Sequence, residues 1–568
     1  MLRFAVFDTQ GRPATGFSLR HAHAFGPDEL PIQASITAGE GMIVVERPTP
    51  ESTGLCVQIE APAPDPEVLA SAGLPLRNGG HPLGLLTLQT ALLPQREEVY
   101  LLSLELARRQ IMLFLNKLEE WGLFDRGEGD PVFKQFETAR QMFTRALVAW
   151  RETDDRAPGR ADRLALQALA LSIDAGERLT IAEAEKSLPD RVSGRAYTEA
   201  VRHYTKITAE TPSPGAAIAL ASATGVTLPG VPAIGVAVDP SSFTEPLLRA
   251  ASLAADFITV PMRWSEMEPA EGKYAFAGTD RWIEWAVRNA KMPVVAGPLL
   301  DFRAGCVPDW LYIWENDYET LRELVVEHLQ QVVTRYRRTV VRWTVAGGLH
   351  VNADIKLTPD QVIDLTRVAV AVVRKVHPGA RLQLEVAQPW GEYHARSRKS
   401  LPPLVYADAL IQVGLNIDAL GIRLQMGQPE PGRSTRDLMT LSALLDRYAA
   451  FQRPLAVTAL GVPSVPSEAA AIEEELFEPG AWRSAWSEQT QADWATQALT
   501  LAAAKPFVQS VCWQMLADAA PGAFTEMPGG GLCSATGTPK PALQRVIQVR
   551  QAIKEARVPG GIPGLGQF

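Results

Sequence analysis

The chain has 568 residues, of which 46% are hydrophobic and 21% charged, with a formal net charge of −9 at pH 7. That length exceeds what one hydrophobic core organises, so two or three domains are expected, and the composition is that of a globular rather than a disordered or fibrous chain. No long Lys/Arg block is present, which disfavours a nucleic-acid partner, and no run reaches the roughly 18 apolar residues that span a bilayer.

The amino terminus reads MLRFAVFDTQGRP, with no basic region ahead of a long apolar stretch and no small-residue cleavage site. This predicts a cytoplasmic protein without membrane attachment. Cys56, Cys306, Cys512 and Cys533 are few and widely spaced, which predicts small buried residues rather than disulfides.

Residues 1–95 alternate short β-type runs (Leu2–Phe7, Ile32–Ile36, Gly41–Glu46, Cys56–Ile59, Leu85–Leu88) with turn-rich breaks, the pattern of a small antiparallel β-sandwich-like domain. Such modules bind carbohydrate or serve as packing domains. Residues 96–205 form a helical segment. Leu101, Leu104, Ile111, Leu115 and Leu118 fall near helical spacing, and the segment reads as a layer joining two domains. No heptad run demands a dimer, so the oligomeric state is left open. A Pro/Gly/Thr/Ala-rich linker is expected over 206–232 and a flexible tail over 557–568.

Residues 233–556 alternate strand-like and helix-like stretches. Eight β-type runs (AIGVAVD, DFITVPMRW, PVVAGPLLDF, VVRWTVAGG, ARLQLEVAQP, IDALGIRLQM, RPLAVTALGV, VQSVCWQML) are separated by amphipathic helical runs. The fold class is therefore α/β, a (β/α)8 TIM barrel preceded by the sandwich and the helical segment. Such barrels carry their sites at the carboxyl ends of the strands.

The strand ends carry recognisable motifs. Thr259-Val-Pro-Met-Arg-Trp264 followed by Ser-Glu-Met-Glu-Pro-Ala-Glu-Gly-Lys-Tyr274 contains W-x-x-x-E-P-x-x-G-x-[YF]. Pro308-Asp-Trp-Leu311, Trp343-Thr-Val-Ala-Gly-Gly348, Gly421-Ile-Arg-Leu-Gln425, Val457-Thr-Ala-Leu-Gly461 and the closing GLCSATGTPKPALQRV follow. With these motifs the third segment resembles glycoside hydrolase family 10, the endo-1,4-β-xylanases.

The resemblance implies a carbohydrate ligand and a pair of catalytic glutamates. Where the family reads W-D-V-V-N-E, with its acid/base Glu, this chain places Gly347 and Gly348. Where the family reads I-T-E-x-D, with its nucleophile, this chain has Ala459. The family His of strand three becomes Pro298, and G-I/L-Q-x-H becomes Arg423 and Gln425. Retaining glycosidases need two carboxyls about 5–5.5 Å apart, and glycine and alanine supply neither.

Other acids near the strand ends are Glu266, Glu268, Asp354, Asp518, Glu385 and Asp301, of which Glu385 and Asp301 are the best-placed substitute catalysts. Trp264, Trp310, Trp390 and Trp513 are candidate sugar platforms, with His350, Arg423 and Gln425 as further substrate-binding candidates. His350, Asp354 and His394 have no metal-ligand spacing, so neither metal nor cofactor is expected. Three functions follow: a carbohydrate- or partner-binding pseudoenzyme, an active O-glycosyl hydrolase with relocated carboxylates, or a structural and assembly protein.

Overall fold

The computed structural model describes residues 1–47, 49–76, 80–124, 129–195, 231–472 and 475–555. Most of the expected linker and all of the expected tail lie outside these residues, so both remain sequence expectations.

Among the described residues the amino-terminal region has eight strands: β1 (Leu2–Ala5), β2 (His23–Phe25), β3 (Pro31–Ile32), β4 (Ser35–Gly39), β5 (Met42–Glu46), β6 (Gly54–Ala61), β7 (Gly84–Gln89) and β8 (Tyr100–Leu101). A short helix, α1 (Pro66–Ser71), interrupts them. One sheet has the order β4-β5-β1-β8. Alternation along β5 buries Ile43 and Val45, and Phe4 of β1 pairs with Ile43.

Three long helices follow: α2 (Leu102–Glu120), α3 (Pro131–Trp150) and α4 (Ala157–Val192). The helical reading of this stretch is refined at two positions of its stripe. Leu101 belongs to β8, because its backbone pairs with Ala5, and Leu115 is 36% exposed. Leu104, Ile111 and Leu118 are buried. The two sheets and these helices share one apolar core that includes Phe4, Val57, Leu88, Leu106 and Leu169.

The rest is a closed parallel barrel. Its strands are β9 (Ala233–Ala237), β10 (Phe257–Val260), β11 (Val294–Ala296) with β12 (Leu300–Asp301), β13 (Val340–Gly347), β14 (Arg381–Val386), β15 (Ala419–Gln425) and β16 (Leu455–Gly461). A hairpin of β17 (Ala470–Ile472) and β18 (Glu475–Phe477), the short β19 (Ala481–Trp482), and finally β20 (Val508–Trp513) complete the chain order. β11 and β12 both pair with β13, so together they form the third barrel strand, and β20 pairs back onto β9 to close the ring at eight strand positions.

Eight helices alternate with these strands: α5 (Glu245–Ala254), α6 (Ala277–Glu284), α7 (Tyr318–Tyr336), α8 (Pro359–Val376), α9 (Pro403–Gln412), α10 (Leu438–Ala449), α11 (Glu488–Ala504) and α12 (Pro541–Lys554). Their starts are written locally. Asp317 and Asp437 cap α7 and α10, and Thr358 with Gln361 forms a reciprocal capping box on α8.

The amino-terminal region and the barrel interlock. β19, inserted after barrel strand β16, pairs antiparallel with β7 and extends the sheet β19-β7-β6-β2-β3. Arg483, beside β19, places its guanidinium 2.6 Å from Asp174 and in contact with Glu177 of α4, all buried. Arg191 at the end of α4 donates to the carbonyls of Ala503, Lys505 and Val508. An ion triad enclosed this way ties the layers tightly, because separating it strands unpaired charge in a low dielectric.

Candidate functional site

Parallel register sets one row across the barrel mouth. Asp301 of β12 is level with Gly347 of β13, Gly347 with Glu385 of β14, and Glu385 with Gly421 of β15. Asp301, Glu385 and Arg423 line the same axial cavity, so the barrel brings together three of the residues picked from sequence.

Each acid there has an arginine partner. The Arg303 Nε lies 2.9 Å from Asp301 Oδ1 and 3.0 Å from Oδ2. The Arg423 guanidinium reaches Glu385 through Nε at 2.9 Å and Nη2 at 3.3 Å. Glu526, from the loop after β20, sits between these pairs. It contacts Arg423 directly and accepts from Gln514 Nε2 at 3.0 Å, while Arg303 Nη2 lies 3.4 Å away. The Arg433 guanidinium closes over the loop through the Glu526 carbonyl at 2.9 Å. Gln425 donates to Gln514 Oε1 at 3.1 Å.

These groups are enclosed: Asp301 and Arg423 are each 6% exposed and Glu385 is 2% exposed. Burial alone would raise the Glu526 carboxyl, but Arg423, Arg303, Arg263 and Arg433 hold it well below the ordinary carboxylate range. Glu526, Arg303 and Arg433 escaped the sequence reading. Glu526 lies in a Gly/Pro loop 223 residues from Arg303, and no local spacing links them.

The space in front of the glycines is filled. Gly348 has φ +70°, and a Cβ there would stand 2.7 Å from Arg303 Cδ. A Cβ on Gly347 would stand 2.7 Å from Pro298 Cγ and 3.0 Å from Glu385 Oε1. Ala459, in register with Arg423, is 1% exposed. The axial cavity holds only about 30 Å³ of free space, against the roughly 300–1,000 Å³ of small-molecule pockets. A larger cavity of about 850 Å³ lies outside the strand ring, between α2, α4, α10 and α11, lined in part by Lys117, Trp121, Asp446 and Lys505.

The other residues picked from sequence stand outside this network. Trp264 is 2% exposed, stacks on His328 and donates its Nε1–H to Glu268 at 2.8 Å. Trp310 donates to the Glu268 carbonyl at 2.9 Å. Burial would raise the Glu268 carboxyl, but His328, Trp264 and the Gly272 N–H hold it down. The W-x-x-x-E spacing thus puts the indole and the carboxylate one helical turn apart.

Trp513 is fully buried and donates to the Gly530 carbonyl, and Trp390 lies under the Arg436 guanidinium at 4.3 Å. His350 is fully buried, stacked on Tyr406, with Nε2 2.9 Å from the Ala387 carbonyl. Its pKa is lowered to about 4 by burial. Asp354 accepts from Tyr312, Asp518 pairs with Lys540, and Glu266 pairs with Arg263.

All four cysteines are buried and free. No helix among the described residues is long and apolar enough to cross a membrane.

A closed ring of eight parallel strands, each followed by a helix, with polar side chains gathered at the strand carboxyl ends, defines the class of (β/α)8 barrel proteins. The family model described as glycosyl hydrolase family 10 matches residues 229–549, more than half of the chain. The chain belongs to glycosyl hydrolase family 10.

It is 25% identical over 255 residues to endo-1,4-beta-xylanase C of Paenibacillus barcinonensis, covering 40% of this chain and 22% of that protein. It is 25% identical over 179 residues to endo-1,4-beta-xylanase B of Humicola insolens, covering 30% of this chain and 46% of that protein. The chain thus spans less than half the length of these relatives. Among solved structures, xylanase 10B from Thermotoga maritima matches at 17% identity and a TM-score of 0.44, covering 57% of this chain and 97% of that one.

Proposed function

We propose that this chain is a family 10 pseudoenzyme: its barrel does not hydrolyse glycosidic bonds and instead serves as a binding and assembly scaffold. One observation carries the reading. Arg303 occupies the space before Gly348, where the family resemblance puts the acid/base, while its guanidinium is engaged with Asp301 and Glu526. A general acid must reach the leaving oxygen, and a nucleophile must reach the anomeric carbon. Carboxylates locked bidentately to arginine in about 30 Å³ of space do neither.

The sharing of one sheet between the amino-terminal region and the barrel loop supports the scaffold role. Trp264 and Trp513 are packing residues in this reading, since neither exposes a ring face. A carbohydrate partner, as the xylanase relatives suggest, would meet the rim of the mouth, where Trp310 is only partly buried, rather than the axial cavity.

The competing reading, hydrolysis by relocated carboxylates, is favoured by Asp301 and Glu385 flanking Gly347 in one register row. The purified chain is assayed on xylan and aryl xylobiosides for reducing-sugar and aryl release. No turnover above the buffer rate is expected. Turnover that disappears in Asp301→Asn or Glu385→Gln would overturn the pseudoenzyme reading.

A further inference from the structure

We propose that His23, Cys56 and Glu392 form a structural zinc site that pins the amino-terminal sheet to the barrel. His23 of β2 and Cys56 of β6 are direct cross-strand partners, so their side chains share one face of the sheet. Glu392, in the turn after barrel strand β14, meets that face. The imidazole, thiol and carboxylate ligand atoms all lie within 4.8 Å of one another, and all three residues are buried.

The surroundings have the form of a metal's outer shell. Metal-binding histidines donate their second ring nitrogen to a carbonyl or carboxylate, which fixes the tautomer. His23 Nδ1 lies 3.2 Å from the His21 carbonyl, which leaves Nε2 with its lone pair. Glu392 is itself oriented: Arg436 contacts Oε1, and the Gly432 N–H donates to Oε2 at 2.6 Å. A carboxylate has about four lone-pair positions, so two remain for a cation.

A second, independent feature points the same way. His21 is 1% exposed, and its Nε2 lies 2.7 Å from the Glu478 carbonyl, so that nitrogen carries the proton. Its Nδ1 then faces Glu392 Oε2 at 3.7 Å with no hydrogen-bond partner. A lone pair aimed at a buried carboxylate oxygen is repulsive unless a proton or a metal cation stands nearby. His21 stands at the edge of the cluster as the candidate fourth ligand of a closed tetrahedral site.

The donor set selects the ion. One thiolate, imidazole nitrogen and one carboxylate suit zinc, whereas calcium and magnesium take oxygen ligands. Binding replaces the Cys56 S–H bond by a zinc–sulfur bond and releases that proton to solvent. Without metal the thiol stays protonated, since burial pushes it up to about 12. The thiolate and the carboxylate oppose the dication, while the Arg436 guanidinium, which contacts Glu392 and lies beside Cys56, adds one positive charge to the surroundings.

The test uses the full chain, stripped with a chelator and dialysed, then loaded with Zn²⁺ or Co²⁺ alone. One zinc per chain is expected by elemental analysis after desalting. The cobalt form should show a sulfur-to-cobalt charge-transfer band together with intense tetrahedral d–d bands. Cys56→Ser and His23→Gln should each lose the stoichiometric metal, and Cys56→Ser the charge-transfer band, while Cys533→Ala keeps both. Circular dichroism confirms that each variant is folded. Should a variant fail to fold, the unaltered chain decides: a zinc content near zero after loading, with no charge-transfer band, overturns the proposal. This outcome is independent of whether the barrel hydrolyses xylan.

Discussion

Glu526→Gln tests the plug at the barrel mouth most directly. The substitution keeps shape and volume but removes the charge that four arginines surround. Arg423 and Arg303 retain Glu385 and Asp301, so the network is weakened rather than abolished. Removing one partner of a buried ion pair costs about 3–5 kcal/mol; with these remaining partners the lower end, about 3 kcal/mol at pH 7, is expected.

The pH dependence follows from the depressed folded pKa of Glu526. A carboxyl depressed on folding contributes its stability above its unfolded pKa, near about 4.3, and loses it as pH falls through the folded value. The native chain should therefore lose stability below about pH 4.3, and part of that loss should be absent in Glu526→Gln. Urea unfolding followed by tryptophan fluorescence at pH 7 and at pH 3.5 measures both effects. An equal midpoint for the two proteins at pH 7, or an unchanged difference between them at pH 3.5, would refute the plug as a stabilising charge cluster.

Two further outcomes follow from the geometry. The double substitution Gly348→Glu with Ala459→Glu should not create xylanase activity in a reducing-sugar assay: the new Cβ at 348 collides with Arg303, and its φ of +70° costs a non-glycine residue about 1–2 kcal/mol. Arg483→Ala strands Asp174 and Glu177 without their guanidinium, so limited proteolysis should cut α4 or the β19 region well before the barrel.

The Trp264–Glu268 motif was legible because both residues lie on one turn, where backbone geometry alone fixes their contact. The capping box at Thr358 and Gln361 is equally local, though it was not singled out from the sequence. Asp301, Glu385 and Arg423 were legible as strand-end residues, but not as partners of Glu526. β2, β8 and β19 went unread because two- and three-residue strands carry no measurable alternation. The His23, Cys56 and Glu392 cluster joins two strands of the amino-terminal sheet to a barrel loop more than 300 positions further on, so no ligand spacing announces it.

The sequence by itself determined the alternation of strand and helix, since periods of two and 3.6 residues are set by local backbone geometry. That glycine and alanine stand where the family carries carboxyls is an expectation drawn from the sequence resemblance alone. Only the tertiary structure decided what fills that space, because Arg303 meets Gly348 through the register and closure of a whole barrel. The union of the amino-terminal sheet with a barrel loop was likewise a tertiary decision. β19 gains its strand partner from β7, some 400 residues away in the chain, and packing rather than local preference brings them together.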